Sequence, residues 1–371
     1  MLAEKTGIGP GLLFMVVYST IIGYGLIQGP YIAAKFLGTA GYWGVILAFL
    51  PAMAVIFLVV ALGRRFPGES IIGYSQSVCG KFLGKVIGIS FIVFILALVA
   101  WTIQDISDHF NIYLTPRTPI WMIVALVLFT VLCIAYKGIE GLSRTAAFLF
   151  ILPLMFIILT ALTSFQFFRI HNILPVFHIH PDKLPLGIIH TFNSFLPLGG
   201  LFIIYQYLTD QAKGFKSILG AAGLACFFIF IATFESIGVY GAKGVLIYSW
   251  PFLELGKETN IPYISQTFGL FISPVLLIEV VLGSGALFYA AAQGLSELWD
   301  GSKSKYFKYK YLLLILTPII FIVVILTPDV VIVRKAFDYL RVIGFIFVFV
   351  LPLLIWVMAV LLRKGVKRHA S

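Results

Sequence analysis

The stretch of sequence that decides the fold is residues 11–36, GLLFMVVYSTIIGYGLIQGPYIAAKF, an apolar run interrupted by the Gly-Tyr-Gly of residues 23–25. Such a run can cross the roughly 30 Å hydrocarbon core of a bilayer as a helix. Residues 185–208 form a similar run, interrupted by the Pro-Leu-Gly-Gly of residues 197–200. Because the bilayer core offers no water to unpaired backbone groups, unwound chain there must lie inside protein or along a wet cavity. The two interruptions therefore predict two broken helices that frame a ligand site.

The composition excludes a soluble protein. Of the 371 residues, 61% are hydrophobic and 11% are charged, and the mean hydropathy is +1.05, so a soluble fold could not bury its apolar side chains. Apolar runs of about 20 residues predict ten spans. These cover residues 11–36, 42–62, 86–108, 118–136, 145–165, 185–208, 217–240, 267–293, 311–328 and 342–362. We therefore expect residues 1–371 to form a single all-α transmembrane domain.

The distribution of Lys and Arg predicts the orientation of the chain. When successive loops are assigned to alternate sides, the side that holds the N-terminus carries 17 of the 26 basic residues and the other side carries nine. Since basic residues concentrate in cytoplasmic loops, both termini are predicted to be cytoplasmic. Residues 1–10 lack the basic region and the cleavage site of a signal peptide, so we expect no cleaved leader.

The formal net charge of +11 does not indicate a nucleic-acid-binding protein, because the basic residues lie in short loops between spans. Anionic lipid head groups are the expected partner of the basic C-terminal tail. That tail contains Arg363, Lys364, Lys367 and Arg368. The three cysteines are too few and too scattered for a disulfide framework or a metal cluster, and we expect neither a metal nor a cofactor.

An internal symmetry of five spans plus five is predicted, with residues 11–165 as the first repeat and residues 185–362 as the second. Each half then begins with one of the two interrupted spans. An odd number of spans in each half gives the halves opposite orientations in the membrane, as in transporters that consist of inverted repeats.

The interrupted spans supply most of the candidate ligand-binding residues. Free backbone amides and carbonyls at such breaks can bind an ammonium or a carboxylate group, aided by the dipoles of the half-helices. The alternative is close helix packing, for which the spacing of Gly25 and Gly29 is typical. The predicted ligand-binding residues are Gly23, Tyr24, Gly25, Trp101, Asp105, Asn193, Leu198, Gly199, Gly200, Gly283 and Ser284.

Charged residues inside spans are costly and usually face the interior of a helix bundle. Glu279 lies near the middle of the eighth predicted span, and Gly283 shares its helix face. Glu279 could couple a proton or an ion, or it could be a protonated or hydrogen-bonded structural side chain. Asp105 follows Trp101 by one helical turn in the third span and could line a vestibule or lie at the membrane interface.

No pattern indicates an enzyme. The sequence lacks a nucleophile elbow, a zinc-protease helix, a phosphate-binding loop and a dinucleotide-binding glycine pattern. His178 and His180 alternate in a predicted outer loop, but only Asp182 lies close by, which favours a solvated loop over a metal site.

Three short stretches resemble the B-subunit family of spore germination receptors, a branch of the amino acid–polyamine–organocation transporter superfamily. They are residues 80–85 (GKFLGK), 136–144 (YKGIEGLSR) and 172–177 (NILPVF). Their order and spacing, the chain length and the ten predicted spans agree with that family along essentially the whole chain. The counterpart of a family signature late in the sixth span is weaker here and reads FIIYQY at residues 202–207.

The resemblance implies an inverted-repeat, LeuT-like fold of the amino-acid-permease type with broken helices 1 and 6. It also implies a receptor subunit in the spore inner membrane that senses a small nutrient, usually an amino acid, together with an A subunit and a C-subunit lipoprotein. A ligand would bind between helices 1, 3, 6 and 8. An active proton-coupled amino acid permease and a purely structural scaffold are the alternatives.

Overall fold

The computed structural model describes residues 7–176, 181–258, 265–299, 305–327 and 330–365, with the side chains of 258–272, 299, 305–308 and 330–336 left aside. Within these ranges the chain is helical and contains no β-strand, apart from an isolated parallel bridge between Ile8 and Leu208. The prediction of an all-α protein is confirmed for the part of the chain described.

The helices of the first half begin with a long N-terminal helix. They are α1 (Pro10–Leu37), α2 (Gly41–Arg65), α3 (Ile71–Cys79), α4 (Lys81–Tyr113), α5 (Ile120–Tyr136), α6 (Gly138–Leu149) and α7 (Ile151–Ser164). Gly41 lies against the carbonyl group of Ala33, because the chain turns back sharply between α1 and α2.

The second half begins with the helical segment that corresponds to the second interrupted span. Its helices are α8 (Leu184–Thr191), α9 (Leu201–Ile204), α10 (Gln211–Val245), α11 (Pro251–Glu258), α12 (Ser265–Trp299), α13 (Lys305–Ile325), α14 (Val330–Phe345) and α15 (Leu351–Leu361). A 3-10 segment, Phe192–Gly200, joins α8 to α9, and a π-helical turn, Ile346–Val350, joins α14 to α15.

Six helical stretches of the described chain are long and apolar enough to cross a membrane. They are Pro10–Arg65, Lys81–Tyr113, Leu184–Tyr207, Gln211–Val245, Ser273–Leu298 and Phe337–Leu361. Counting α5 and α6 as one span bent by 113° gives seven. These stretches support a multi-pass membrane protein, whereas the predicted number of ten spans is not confirmed.

The predicted break in the first helix is not found. α1 is helical from Pro10 to Leu37, through residues 23–25. The glycines serve close packing instead: a Cβ at Gly23 would stand 2.5 Å from the carbonyl oxygen of Glu279, and one at Gly25 would overlap Ile229 and Ser194. The alternative of close helix packing is therefore correct for this stretch, because neighbouring backbones occupy the space that side chains would need.

The second predicted break also differs from the expectation. Residues 192–200 wind as a 3-10 helix rather than unwinding. Pro197 has no N–H to donate, and the tighter 3-10 pattern keeps the rest of this buried segment hydrogen-bonded. At the predicted break the chain therefore changes from an α-helix to a 3-10 helix and does not unwind.

Asn172, from the third quoted motif, ties the first half to a kink in α10. Gly241 has φ of 71° and interrupts α10, which leaves carbonyl groups of the preceding turn without their helical partners. Asn172 Nδ2 donates to the carbonyl oxygens of Gly238 (2.9 Å) and Val239 (3.2 Å). The asparagine of this motif therefore has a structural role. Its side-chain amide pairs with carbonyl groups at the kink of α10, a helix that begins 39 residues after Asn172, at Gln211.

Replacing Asn172 by Asp is expected to destabilise the protein by about 2 kcal/mol, because a carboxylate would face two carbonyl oxygens and could donate to neither. The thermal unfolding midpoint of the detergent-purified protein measures the effect. Gln166→Ala is the matched control, since exposed Gln166 donates only to Thr163 within its own turn. An unchanged midpoint for Asn172→Asp would show that the cap is not needed.

Candidate functional site

Reciprocal glycine contacts bring the backbones of α1 and α12 together. A Cβ at Gly23 would collide with the Glu279 carbonyl group, and a Cβ at Gly283 would stand 2.9 Å from the Cα of Thr20. Small residues at both contact points allow this approach. The polar side chains next to these contacts, on both helices, therefore lie in the centre of the bundle.

A small cavity lies beside this contact. It is lined by Gly23, Tyr24, Ile27, Gln28, Trp101, Thr102, Asp105, Ile106 and Val280. Its volume of about 10 Å³ is enough for one water molecule. The structure thus brings four predicted ligand-binding residues together around one space, which is too small for an amino acid in this conformation.

Asp105 is the acidic side chain of the cavity. Its Oδ1 accepts a hydrogen bond from Gln28 Nε2 at 2.6 Å and another from Trp250 Nε1 at 3.1 Å. Gln28 belongs to α1, and Trp250 immediately precedes α11. The carboxylate therefore joins α4 to α1 and to the residue that precedes α11.

Arg341 of α14 completes this polar network. Its side chain is nearly buried, and its Nη2 donates to Gln28 Oε1 at 3.3 Å. Nη1 pairs with Asp338, which also forms a salt bridge of 3.0 Å with Lys35. The guanidinium lies 5.4 Å from the Trp101 ring centre, within the range of a cation–π contact. We call the network of Lys35, Gln28, Asp105, Asp338 and Arg341 the Arg341 clamp.

Arg341 was not among the predicted site residues. The predicted spans place this arginine in a loop just before the tenth span, whereas α14 begins at Val330 and includes it. The spacing of Asp338 and Arg341, one helical turn apart, was the available signal, because an ion pair at i and i+3 favours helix over loop.

Aromatic rings close the cavity on the same side. Tyr24 meets Trp101 edge-to-face with ring centres 4.9 Å apart, and Trp101 stacks on Phe337 at 4.1 Å. The Tyr24 hydroxyl is buried and has no hydrogen-bond partner. This leaves a buried donor and acceptor next to the cavity.

Glu279 lies deeper, on the other side of the α1–α12 contact. Its side chain is 1% exposed, and neither carboxyl oxygen has a hydrogen-bond partner. Ser19 and Tyr18 of α1 lie close enough to interact electrostatically with it, and their hydroxyl groups are also unpartnered. Ser284 of α12 is a further buried hydroxyl without a partner. Both interpretations of Glu279, a coupling group and a protonated or hydrogen-bonded structural side chain, stay predictions.

The 3-10 segment contributes a second group of unpartnered polar atoms. Both side-chain amide atoms of Asn193 and the hydroxyl of Ser194 are buried without partners. A Cβ at Gly29 would stand 3.2 Å from Ser194 Oγ, which places this hydroxyl against α1. Asn193 and Ser194 thus add donors and acceptors to the buried surroundings of α1.

The last part of the 3-10 segment divides between two environments. Leu198 and Gly200 line another cavity of about 10 Å³, which also borders Thr20 and Ile21 of α1. Gly199 faces elsewhere: a Cβ there would stand 3.0 Å from Val348 in the π-helical turn. The structure therefore does not bring Gly199 to the cavity lined by Asp105.

The opposite end of the bundle is also closed. Glu297 near the end of α12 accepts hydrogen bonds from Gln206 Nε2 (2.6 Å) and from the Ser70 hydroxyl. Ile8 N donates to Tyr207 O at 2.9 Å, and Thr209 N donates to Ile8 O at 3.1 Å. Both ends of the region around α1 are therefore held shut in this conformation.

The described residues contain no group of three or more His, Cys, Asp or Glu side chains that could hold a metal ion. His178 and His180 lie outside the described residues.

Known relatives are spore germination proteins. The chain is 27% identical to spore germination protein YndE of Bacillus subtilis (strain 168) over 260 residues, which cover 70% of this chain and 72% of that protein. It is 21% identical to spore germination protein B2 of the same organism over 356 residues, 94% of each chain. Spore germination protein GerQB of Bacillus cereus is 20% identical over 300 residues, 81% of this chain and 82% of that one.

Among solved structures, MhsT in complex with L-phenylalanine shares the fold with a TM-score of 0.75 and 16% sequence identity. The likeness covers 94% of this chain and 88% of MhsT. This neighbour supports the LeuT-like transporter fold. The model of the spore germination protein (spore permease) family matches residues 8–330. With that match over most of its length, the chain belongs to the spore germination protein family of multi-pass membrane proteins.

Proposed function

We propose that this protein is the nutrient-sensing membrane subunit of a spore germination receptor and binds a small amino-acid-like ligand among α1, α4, the 3-10 segment and α12. The observation that carries the proposal is the concentration of buried, unpartnered polar atoms around the middle of α1. They belong to Ser19, Tyr24, Asn193, Ser194, Glu279 and Ser284. Leaving such atoms unpaired is costly, so a site of this kind is built for a partner that brings its own donors and acceptors.

An amino acid suits these surroundings. Its ammonium group needs acceptors such as Asp105 and Glu279, and its carboxylate needs donors such as Asn193 and the hydroxyl groups. The aromatic pair of Tyr24 and Trp101 offers an apolar surface for a side chain. The fold neighbour MhsT was solved with L-phenylalanine, which fits the same class of ligand.

Binding must be coupled to a change of shape, because the two cavities bordering α1 hold about 10 Å³ each. A ligand enters only when the Arg341 clamp opens or when the contacts of Glu297 and Ile8 at the opposite end of the bundle open. It then shifts the balance between open and closed states by its differential affinity for them. This is how a transporter-type pocket can detect a nutrient without moving it.

The rest of the predicted architecture belongs to this proposal. The six long helical stretches become seven spans if α1 and α2 cross the membrane separately. They become ten if α5, the pair α6–α7 and α13 each add one more span. Two inverted halves and two cytoplasmic termini then agree with the distribution of basic residues. The receptor would lie in the spore inner membrane with an A subunit, a C-subunit lipoprotein and anionic lipids.

A panel of amino acids added to the purified full-length protein tests the proposal, with thermal stabilisation as the readout. A ligand at 100 times its dissociation constant is expected to stabilise the protein by about 2.7 kcal/mol. The same amino acid should trigger germination only in spores that carry the gene. Stabilisation by no member of the panel, together with an unchanged germination response in spores lacking the gene, would contradict the proposal.

A proton-coupled amino acid permease is the second candidate, and the buried carboxyl of Glu279 favours it. If Glu279 carries the coupled proton, proteoliposomes with the wild-type protein will accumulate a radiolabelled amino acid under a proton gradient. Glu279→Gln will then abolish accumulation while leaving exchange between internal and external amino acid. Absence of uptake by the wild type, with binding retained, would leave sensing as the function.

A further inference from the structure

A large groove lies on the outside of the bundle, away from the proposed ligand site. It runs between α2, the beginning of α10 and α15 and has a volume of about 620 Å³. Phe57, Val60 and Trp356 form part of its apolar walls, and Arg64, Arg65 and Lys216 line the same groove. We propose that this groove is a binding site for one anionic phospholipid.

The apolar part of the groove continues the lipid-facing surface. Phe57 is 51% exposed and packs edge-to-face against Trp356 with ring centres 6.0 Å apart. Leu50 of α2 and Leu354 of α15 are also exposed. An acyl chain lying in the groove would make van der Waals contact with Phe57, Val60 and Trp356, which is the attraction available to apolar groups inside a bilayer.

The polar part of the groove has a positive charge. Among the described residues that line it, three are basic and none is acidic. Arg64 Nη2 donates to the carbonyl oxygen of Gln211 at 3.2 Å, which fixes the guanidinium beside α10. Lys216 is exposed one turn further along α10. Two cations held at one end of an apolar groove match a phosphodiester on an acyl chain.

Arg65 lines the same groove but, unlike Arg64 and Lys216, has a structural role. Its Nε donates to Lys364 O at 2.6 Å and its Nη2 donates to Ala359 O at 2.8 Å, so it caps the end of α15. It therefore fixes the width of the groove. The N-terminal amide groups of α10 are already capped by Asp210, which accepts from Ala212 N and Lys213 N, so they do not contribute to anion binding.

The distance along α2 fits a lipid. Phe57 and Arg64 lie seven residues apart on one helix face, which is about 10 Å of axial rise. With a phosphate at Arg64, the glycerol backbone and the beginning of an acyl chain would extend along α2 to Phe57. The geometry therefore favours a whole lipid over a free phosphate ion or a polar peptide.

Native mass spectrometry of the full-length protein with dioleoyl phosphatidylglycerol tests this site. We expect one tightly bound lipid on the wild type and about 25-fold weaker binding for the double variant Arg64→Gln, Lys216→Gln, since each cation near a membrane surface contributes about a factor of five. Lys81→Gln, Lys85→Gln is the matched control, because it removes two exposed cations at the start of α4, outside the groove. Trp356→Ala tests the apolar wall and should also weaken binding.

Three results would overturn the proposal. Equal binding of dioleoyl phosphatidylcholine would show that the groove does not select for the charge of the lipid. An equal loss of lipid binding in the control variant and in the double variant would show a general effect of surface charge. Displacement of the lipid by millimolar inorganic phosphate would identify a free anion as the ligand. The thermal unfolding midpoint of the lipid-free double variant is compared with that of the wild type. Equal midpoints show that the weaker lipid binding does not result from unfolding.

Discussion

Spores whose receptor carries Asp105→Ala are expected to need on the order of 100 times more nutrient for half-maximal germination. Asp105 accepts hydrogen bonds from Gln28 and Trp250, and hydrogen bonds to a charged group contribute about 1.5 kcal/mol or more each. Removing the carboxylate would leave both donors without their acceptor beside the buried Arg341. It would also remove the acceptor that we assign to the ammonium group of the ligand.

Matched variants separate this effect from general damage to α4. Asp108→Ala removes a carboxylate one turn away, whose oxygen accepts from Gln104 of the same helix at 2.9 Å, and it should shift the dose response little. Asp105→Asn keeps one acceptor oxygen and should fall between Asp105→Ala and the wild type. A normal dose response in Asp105→Ala spores with wild-type receptor abundance would remove Asp105 from the site.

Gly23→Ala is expected to lower the stability of the purified protein by about 3 kcal/mol, at the upper end for an overpacked core. The added Cβ would stand 2.5 Å from Glu279 O, 2.6 Å from Glu279 C and 2.8 Å from Val280 N. These are backbone atoms, so no side-chain rotation can relieve the overlap. α1 and α12 would have to move apart, and the thermal unfolding midpoint should fall by several degrees.

Two other glycines of α1 serve as controls for this prediction. Gly11 has no atom within 4 Å of an added Cβ, and Gly11→Ala should leave stability equal or higher because alanine favours helix by about 1 kcal/mol. Gly25→Ala would meet mainly the flexible side chain of Ile229 and should cost less than Gly23→Ala. Equal midpoints for the variants at positions 11 and 23 would show that the α1–α12 contact is looser than described.

The membrane-protein class was predictable from sequence because hydropathy acts over whole spans, and the family was predictable because three short stretches resemble it. Residues 11–36 and 185–208 could hardly be anything other than buried or membrane-embedded helices. Their internal geometry was less predictable. A glycine within an apolar run is compatible with an unwound helix or with a close neighbour, and only the position of α12 against Gly23 decides between them.

Part of the candidate site was also predictable. Trp101 and Asp105 were recognisable because a charge inside a span needs a partner. Gln28 and Arg341 were not, since their roles depend on contacts across 313 residues of sequence. Asn193 was predicted as a ligand-binding residue, and the structure places its unpartnered amide in the 3-10 segment of residues 192–200.

The position of α1 has a consequence for biosynthesis. α1 is made first, but it packs most extensively against α10 and α12, which end at Val245 and Trp299. At ordinary elongation rates of about 5–20 residues per second, it waits tens of seconds for these neighbours. During that time Gly23 lacks the backbone of α12 that fills the space beside it, and Ser19 lacks the carboxyl group of Glu279. A chain that ends before α12 is therefore expected to leave the central face of α1 unpacked.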